Sequence, residues 1–404
     1  MTDLETRVAS PRAGALRRAA PALAGYAAVR ALGLLALFLW SAARDKNAYT
    51  LLTARWDALW YVRVAELGYG YEVRLANGDV HSNLAFFPLL PWLERLVAAV
   101  SPLSYADGGF LVSLVASLAA AWGIFAVADH VYGRRAGVCA VLLWAVLPVG
   151  IVQSMAYSES LFTALAAWAL YAVLTGRFVT AGVLALFAGL TRPVGLAVVA
   201  AVWVAAVASF VRDRRAPGPD APHVPAEPAV PAEPAEPATR VRRALGMALA
   251  PLGTAGYVLW VGHDTGKGPL GYLDVQAGWR NGFDGGYAFA RFVAEKFTSF
   301  PSALAGVGLI VGVASVVWLY VTGVRQRQPL PLLVYTGVVT ALALCASSYF
   351  GSKPRLLLPA FPLLLPLALA LARARLRRST AILGTVAVAS AVYGAFWLNG
   401  SGPP

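Results

Sequence analysis

Stretches of about 20 apolar residues recur along the whole chain, and they restrict its fold more than any other feature. A bilayer core about 30 Å thick takes about 20 apolar residues per helix. Such runs fall at 19–42, 106–128, 136–152, 158–175, 178–191, 193–211, 243–262, 301–323, 329–349, 355–371 and 379–398. They predict an all-α polytopic membrane protein of about 11 transmembrane helices, or roughly 9–11, because Arg192-Pro193 separates two runs only narrowly. Charged residues make up 13% of the chain, against about 25% in soluble domains.

The formal net charge of +13 would point to nucleic acid in a soluble protein, but its placement points to orientation. Arg7, Arg12, Arg17 and Arg18 precede the first run, and Arg134 and Arg135 follow the second. Arg177, Arg325 and Arg327 follow later runs, as do Arg373, Arg375, Arg377 and Arg378. Arg212, Arg214, Arg215, Arg240, Arg242 and Arg243 flank a central gap. With a cytoplasmic N-terminus, every cluster falls on the cytoplasmic side, as the positive-inside rule requires, and the C-terminus lies outside. No nucleic-acid partner is implied. The first apolar run is too long for a cleavable signal peptide, and no small-residue cleavage site follows it. Cys139 and Cys345 sit inside apolar runs and read as packing residues. The excess of arginine over lysine reads as a coding bias of a bacterial source.

The expected organisation is a cytoplasmic tail over 1–18, a transmembrane module over 19–212, a linker over 213–240 and a second transmembrane module over 241–404. The linker is a Pro/Ala/Glu low-complexity run that cannot bury apolar surface, and it predicts cytoplasmic disorder. Residues 43–105 and 263–300 fall on the external side and are rich in Trp, Tyr, Asp and Arg. Within the first, Pro88–Val100 is too short to span and carries Glu94 and Arg95, which predicts an interfacial helix along the membrane surface. No internal repeat of the kind common in secondary transporters is visible.

Arg55-Trp56-Asp57-Ala58-Leu59-Trp60-Tyr61 is the most suggestive external stretch. Trp56, Trp60 and Val64 recur at helical spacing, so a helix should start near Asp57. Asp57 is then either its N-cap or a carboxylate set beside indole and phenol rings, as in sugar sites. Trp and Tyr at a membrane boundary are also ordinary anchors, so the rings alone decide nothing.

Arg55–Tyr69 resembles the first-loop signature of the PIG-V-type family, whose eukaryotic members add the second mannose of the GPI anchor. His81-Ser82-Asn83-Leu84-Ala85-Phe86-Phe87-Pro88 resembles the FFP element of that family. Tyr157-Ser158-Glu159-Ser160 and Leu190-Thr191-Arg192-Pro193 resemble its paired YSES and TRP elements, and Lys353-Pro354-Arg355 its late basic element. The resemblance implies the GT-C class of multispanning glycosyltransferases, which take a sugar from a polyprenyl phosphate carrier and invert its anomeric centre. It implies Asp57 as the base on the acceptor hydroxyl, with Glu66 as the reserve. A positioned carboxylate of that kind contributes roughly 10²–10⁴-fold. The expected substrate-binding set is Arg55, Trp56, Trp60, Tyr61, His81, Asn83, Glu159, Arg192, Gln276, Trp279, Arg280, Lys353 and Arg355.

Lys353 and Arg355 lie at an external mouth that the positive-inside rule depletes of basic residues. They read either as snorkelling side chains or as a clamp on the carrier phosphate that stabilises it as the leaving group. Glu159 and Arg192 are equally consistent with a structural ion pair and with substrate contact. Arg30, midway through the first run, calls for a partner carboxylate or a lipid phosphate. Gln276-Ala277-Gly278-Trp279-Arg280 offers polar and aromatic groups to an acceptor or carrier head, although generic loop chemistry explains it nearly as well. No metal motif, cofactor motif or nucleotide-binding loop stands out.

The expected activity is therefore an inverting α-mannosyltransferase in the cell membrane with its site facing outward. Its donor would be a polyprenyl-phosphate-linked sugar and its acceptor a lipid-linked glycan, lipoglycan or secreted protein, with membrane lipids as its surroundings. A flippase for the carrier and the same fold using glucose or arabinose are the rivals. Sidedness is testable: in a variant lacking Cys139 and Cys345, Asn77→Cys and Gly282→Cys should both react with an impermeant thiol reagent in intact cells. Ala229→Cys should react only after lysis. Labelling of the first two from opposite sides would separate the two segments that the site requires.

Overall fold

The computed structural model describes residues 11–215, 237–400 and 402. The first module runs α1 (Pro11–Ala42), α2 (Ala48–Thr53), α3 (Asp57–Leu67), β1 (Glu72–Arg74), β2 (Val80–Ser82) and α4 (Leu89–Val100). It continues through α5 (Tyr105–Tyr132), α6 (Arg134–Ala145), α7 (Ser158–Leu174), α8 (Phe178–Gly189) and α9 (Leu196–Arg215). The second comprises α10 (Pro237–Leu249), α11 (Leu252–Asp264), α12 (Gly271–Gly278), α13 (Tyr287–Glu295) and α14 (Ser302–Arg325). It ends with α15 (Leu330–Cys345), α16 (Lys353–Leu356), α17 (Leu365–Arg373) and α18 (Leu376–Leu398). The all-α expectation holds except for the antiparallel hairpin β1–β2, in which Val73 faces His81.

Every apolar run is largely helical, but the count of about 11 spans is not reached. Six helices among the described residues are long and apolar enough to cross a membrane, or 7 if a bent pair counts as one span. The six are 14–42, 105–132, 193–214, 238–264, 302–325 and 376–398, and the pair 350–356 and 361–373 is bent by 77°. α7, α8 and α15 are apolar but shorter. Hydropathy reads 136–152 and 355–371 as single runs, whereas Pro148, Pro359 and Pro362 remove backbone donors and break the helix.

These breaks explain Arg30. It is buried in α1, and its guanidinium donates to the carbonyl oxygens of Ala145 and Gly150 rather than to a carboxylate among the described residues. α6 ends at Ala145, so the carbonyl of Ala145 has no partner further along that helix, and the guanidinium supplies a donor there. Nearby, Trp144 is fully buried, stacks on Tyr26 at 5.5 Å and donates from Nε1 to the Leu358 carbonyl at 3.0 Å.

Helix α4 is inside out relative to a helix of a soluble protein. Trp92, Leu96 and Val100, four residues apart, are exposed, while Glu94 is buried. Arg95 is exposed but reaches back to α3, donating to the carbonyls of Ala65 at 2.5 Å and Val64 at 3.2 Å and closing the end of that helix. An apolar outer face with its carboxyl turned inward suits a helix lying in the membrane interface. Burial pushes the Glu94 carboxyl well above its ordinary range, and the side chain lies against α5 at Gly109.

Helix occupies both ends of the 213–240 linker: α9 continues to Arg215 and α10 starts at Pro237. Asp213 and Arg243 pair across the junction, which supplies the reason for order there. The interior, 216–236, lies outside the described residues. α8 meets α10 and α11 along a seam of small residues, where Gly182 faces the Gly246 backbone and Gly253 faces the Leu186 carbonyl. Apolar surface gives no preference for protein over lipid tails, so close backbone approach at small residues provides the association.

A Cβ at Gly253 would clash with the Leu186 carbonyl, whereas one at Gly256 on the same helix meets nothing within 4 Å. Gly253→Ala should therefore cost ~1–3 kcal/mol through overpacking, and Gly256→Ala should be neutral or slightly stabilising. Thermal unfolding in detergent reads the difference, and equal effects would dissolve the seam.

Candidate active site

Helix α3 opens on an unusual residue. Its N-cap is Trp56, at φ 49° and ψ −121°, with no side-chain capping bond. A positive φ is strained for a bulky residue and persists only where the surroundings fix it. Arg55 does so: its guanidinium lies 3.8 Å from the Trp56 ring centre and donates to the Leu398 carbonyl at 3.0 Å and the Gly400 carbonyl at 3.2 Å. Asp57 is thus the first helical residue, not the N-cap, and its side chain is committed elsewhere.

That commitment is to Arg355, whose Nη1 donates to Asp57 Oδ2 at 2.8 Å. The same guanidinium places Nε 3.3 Å from Glu159 Oε1, and Arg192 Nη1 approaches that oxygen at 2.6 Å. Arg192 also donates to Ser158 Oγ at 3.1 Å, and Ser158 shares a hydrogen bond with the Tyr61 hydroxyl at 2.7 Å. Four separate elements are joined: α3, the first turn of α7, the turn between α8 and α9, and α16. The position of Glu159 in the first turn of α7 suits a carboxylate, since the helix N-terminus carries partial positive charge.

The network faces a cavity of about 360 Å³ whose walls include Trp56, Asp57, Trp60, Tyr61, Arg192 and Arg355. Its outer wall is aromatic: Trp60 stacks on Phe86 at 5.6 Å and meets Trp279 edge-on at 4.9 Å, and His81 stacks on Trp279 at 4.0 Å. Burial lowers the pKa of His81, with Asp79 opposing, so the imidazole is neutral at pH 7. Burial pushes the Tyr61 hydroxyl upward, keeping it protonated and able to donate. Gln276 donates to the Tyr272 hydroxyl at 2.6 Å and accepts from Asn281 at 2.7 Å, forming a polar floor.

A second cavity of about 300 Å³ adjoins the first and shares Arg192, Tyr272, Gln276, Asn281 and Arg355 with it. Beyond those residues its walls are mainly apolar, including Val194, Leu273, Val339, Leu342 and Pro359. The two arginines therefore stand at the junction of a polar compartment and an apolar one.

Other expected binding residues take different positions. Arg55 supports Trp56 from outside the cavity. Asn83 is fully buried and bridges a turn, donating to the Gly68 carbonyl at 2.9 Å and accepting from the Gly70 N–H at 3.1 Å. Arg280 pairs with Asp79 at 2.6 Å on the surface. Lys353 caps the end of α15, its ammonium donating to the carbonyls of Ala343, Leu344 and Ala346 at 2.9, 3.2 and 2.9 Å. Glu66 is exposed and lines neither cavity. Ser158, Tyr272, Asn281 and Tyr349 do line the site or join its network, although the sequence reading did not single them out. Ser158 stood beside Glu159 in a quoted stretch; the other three are reached only through tertiary contact. Among the described residues, no three His, Cys, Asp or Glu side chains cluster as a metal site would need.

Residues 35–214 match the family model described as Mannosyltransferase (PIG-V), a stretch that holds Asp57, Glu159 and Arg192. Over these residues the chain is similar to the PIG-V mannosyltransferase family. No curated protein matches the chain. Among solved structures, it is similar to ArnT from Cupriavidus metallidurans bound to undecaprenyl phosphate, at 16% identity and a TM-score of 0.51, over 88% of this chain and 61% of that one. It is also similar to the oligosaccharyltransferase AglB from Archaeoglobus fulgidus, in complex with an inhibitory peptide and a dolichol-phosphate. That match has 11% identity and a TM-score of 0.47, over 94% of this chain and 56% of that one. The chain thus spans about three-fifths of the ArnT length. The likeness to ArnT is one of fold, and it agrees with the GT-C-like architecture expected from the PIG-V resemblance.

The shared carboxylate gives a stability test. Glu159→Gln leaves Arg192 and Arg355 facing each other in a buried site and should cost about 3 kcal/mol. Adding Arg192→Gln should cost less than the sum of the single losses, since the two residues share one network. Additive losses in thermal unfolding would mean the pair is not coupled.

Proposed function

We propose that this protein transfers a sugar, mannose in the first instance, from a polyprenyl phosphate carrier to an acceptor hydroxyl at the external membrane face. The observation that carries this reading is the junction at Arg192 and Arg355, where the polar aromatic cavity meets the apolar one. A polyprenyl-phosphate sugar has the matching three parts. Its sugar fits the aromatic compartment, its phosphate the arginine pair, and the first units of its lipid the apolar compartment. A cavity of about 360 Å³ lies within the range of small-molecule sites, roughly 300–1,000 Å³.

The chemistry follows from the groups at hand. The acceptor oxygen attacks the anomeric carbon from the face opposite the phosphate, a new C–O bond forms, and the bond to the phosphate oxygen breaks with its electron pair. Asp57 takes the proton of the acceptor hydroxyl. Its carboxylate offers about four lone-pair sites, so it can hold Arg355 and still accept from a substrate. Arg192 and Arg355 stabilise the negative charge that grows on the departing phosphate. Inversion of a β-linked carrier sugar gives an α-linked product. Trp60, His81 and Trp279 form the wall that orients the ring, and neutral His81 and protonated Tyr61 can donate to its hydroxyls.

The direct test is transfer in proteoliposomes from radiolabelled polyprenyl-phosphate-mannose, with the glucose and arabinose donors in parallel and the product identified. Label that crosses the bilayer without changing its carrier would make the protein a flippase. Asp57→Asn keeps the shape and the hydrogen bond to Arg355 but loses the proton acceptor, and should reduce transfer at least ~10²-fold. Arg355→Lys should raise the KM for the donor and lower kcat, because an ammonium cannot reproduce the fork that reaches two carboxylates and a phosphate. Wild-type kinetics in Asp57→Asn would return that residue to a structural role.

A further inference from the structure

A groove that shares no residue with the Asp57 site runs between α1, α6 and α18, with a volume of about 790 Å³. Its walls are apolar, with Val138 and Leu142 from α6 and Leu383 and Gly384 from α18. Its mouth is basic: Arg134, Arg135 and Arg375 line it, all exposed, and among the described residues no acidic one does. α6 and α18 both begin at this mouth. Neither N-cap makes a side-chain capping bond, and neither first turn holds an acidic residue. Two helix ends therefore present free N–H groups and positive partial charge beside three guanidinium groups.

Among the described residues, the surroundings leave that charge uncompensated. The acidic group next to the mouth, Asp129, is held by Arg18 through two bonds from Nη2, at 2.7 and 2.9 Å. Arg134 donates once, to the Arg18 carbonyl, and Arg135 once, to the Ala374 carbonyl; five N–H donors per guanidinium leave the rest free. Arg377 and Arg378 in α18 and Arg373 in α17 add positive charge on the flanking elements. From Arg134 to Val146 the α6 wall is about 18 Å long at 1.5 Å per residue, somewhat more than half of a hydrocarbon core about 30 Å thick. The groove thus has the depth of one leaflet and a cationic end where that leaflet carries its head groups.

We propose that this groove binds an anionic phospholipid of the bilayer. The phosphodiester head sits among Arg134, Arg135, Arg375 and the N-termini of α6 and α18. One acyl chain lies along Leu142 and Gly384 and fills the space that α6 and α18 leave between them. This proposal does not depend on the transferase reading, since no residue of that site takes part.

Native mass spectrometry of the delipidated full chain in detergent tests it, with phosphatidylglycerol and phosphatidylcholine of identical acyl chains titrated separately. Phosphatidylglycerol should bind at least about tenfold more tightly, since each basic residue near a head group contributes severalfold. A Cβ at Gly384 meets nothing within 4 Å, so Gly384→Phe grows into the groove without displacing backbone. It should lower phosphatidylglycerol affinity at least about tenfold with every arginine intact. The triple variant Arg134→Gln, Arg135→Gln, Arg375→Gln should abolish the preference between the two lipids. Equal binding of both lipids by the wild type, or wild-type binding by Gly384→Phe, would overturn the proposal. So would displacement of phosphatidylglycerol by polyprenyl phosphate at a tenfold lower concentration, which would make the groove a carrier site.

Discussion

Arg355 holds two carboxylates at once, one of them on a residue 298 positions away in the chain, and the geometry of the site depends on it. Helices surrounded by lipid gain nothing from apolar contact with one another that lipid tails would not also give. Small-residue seams such as Gly182–Gly246 bring helices close, but they do not dictate which helix ends must meet. Buried charges do, because a carboxylate with 2% side-chain exposure, as at Glu159, is too costly to leave without a cation. The chain of contacts from Asp57 through Arg355 and Glu159 to Arg192 therefore sets the mutual positions of α3, α7, α16 and the α8–α9 turn. The aromatic wall from the hairpin and α12 then closes over a frame already fixed.

The same charges that fix the frame are the ones with capacity to act on a substrate. Arg192 and Arg355 use only part of their donors on protein, and Asp57 has a second oxygen beyond the one that Arg355 holds. Preorganisation of this kind lets charge stabilisation operate without movement at the moment of reaction. Trp56 contributes in the same way. Its strained backbone turns the chain so that Asp57 enters α3 with its carboxylate toward Arg355 rather than folded back as a cap. Arg55 and the end of α18 hold that strain in place.

Apolar periodicity made the helices legible in the sequence, and local motifs made Asp57, Glu159, Arg192 and Arg355 legible as a set, through family resemblance rather than spacing. What stayed hidden was whatever depends on where a helix stops. The run 355–371 is as apolar as a spanning helix, yet its prolines bend the chain by 77°. The carbonyls freed by such breaks are invisible in a hydropathy profile, so Arg30 and Lys353 read as cations in search of anions. Each in fact satisfies carbonyl oxygens. Asn83 and Arg280 were hidden for a related reason: their partners, a turn backbone and Asp79, are named only by the folded loop. Tyr272 and Asn281 carry no local signal, because α12 reaches the site by packing beneath the hairpin.

The break before α17 also explains how Arg355 enters the site. A straight helix through 350–373 would carry Arg355 along its own axis and satisfy its backbone internally, leaving Lys353 and Arg355 one-half turn apart on its surface. Instead α15 ends at Cys345, and its last carbonyls need donors. Lys353 provides them from the start of α16, with its ammonium also 4.7 Å from the Phe289 ring centre. That contact docks α16 against the end of α15, and Pro354, in the first turn, accepts the bend without losing a hydrogen bond. The one-turn helix so anchored points Arg355 toward Asp57 and Glu159, with its guanidinium 5.1 Å from the Tyr157 ring centre. Lys353 is in this sense a positioning residue: it fixes the helix fragment from which the arginine reaches both carboxylates. The late basic element is one mechanical unit, in which the first cation holds backbone so that the second can hold charge.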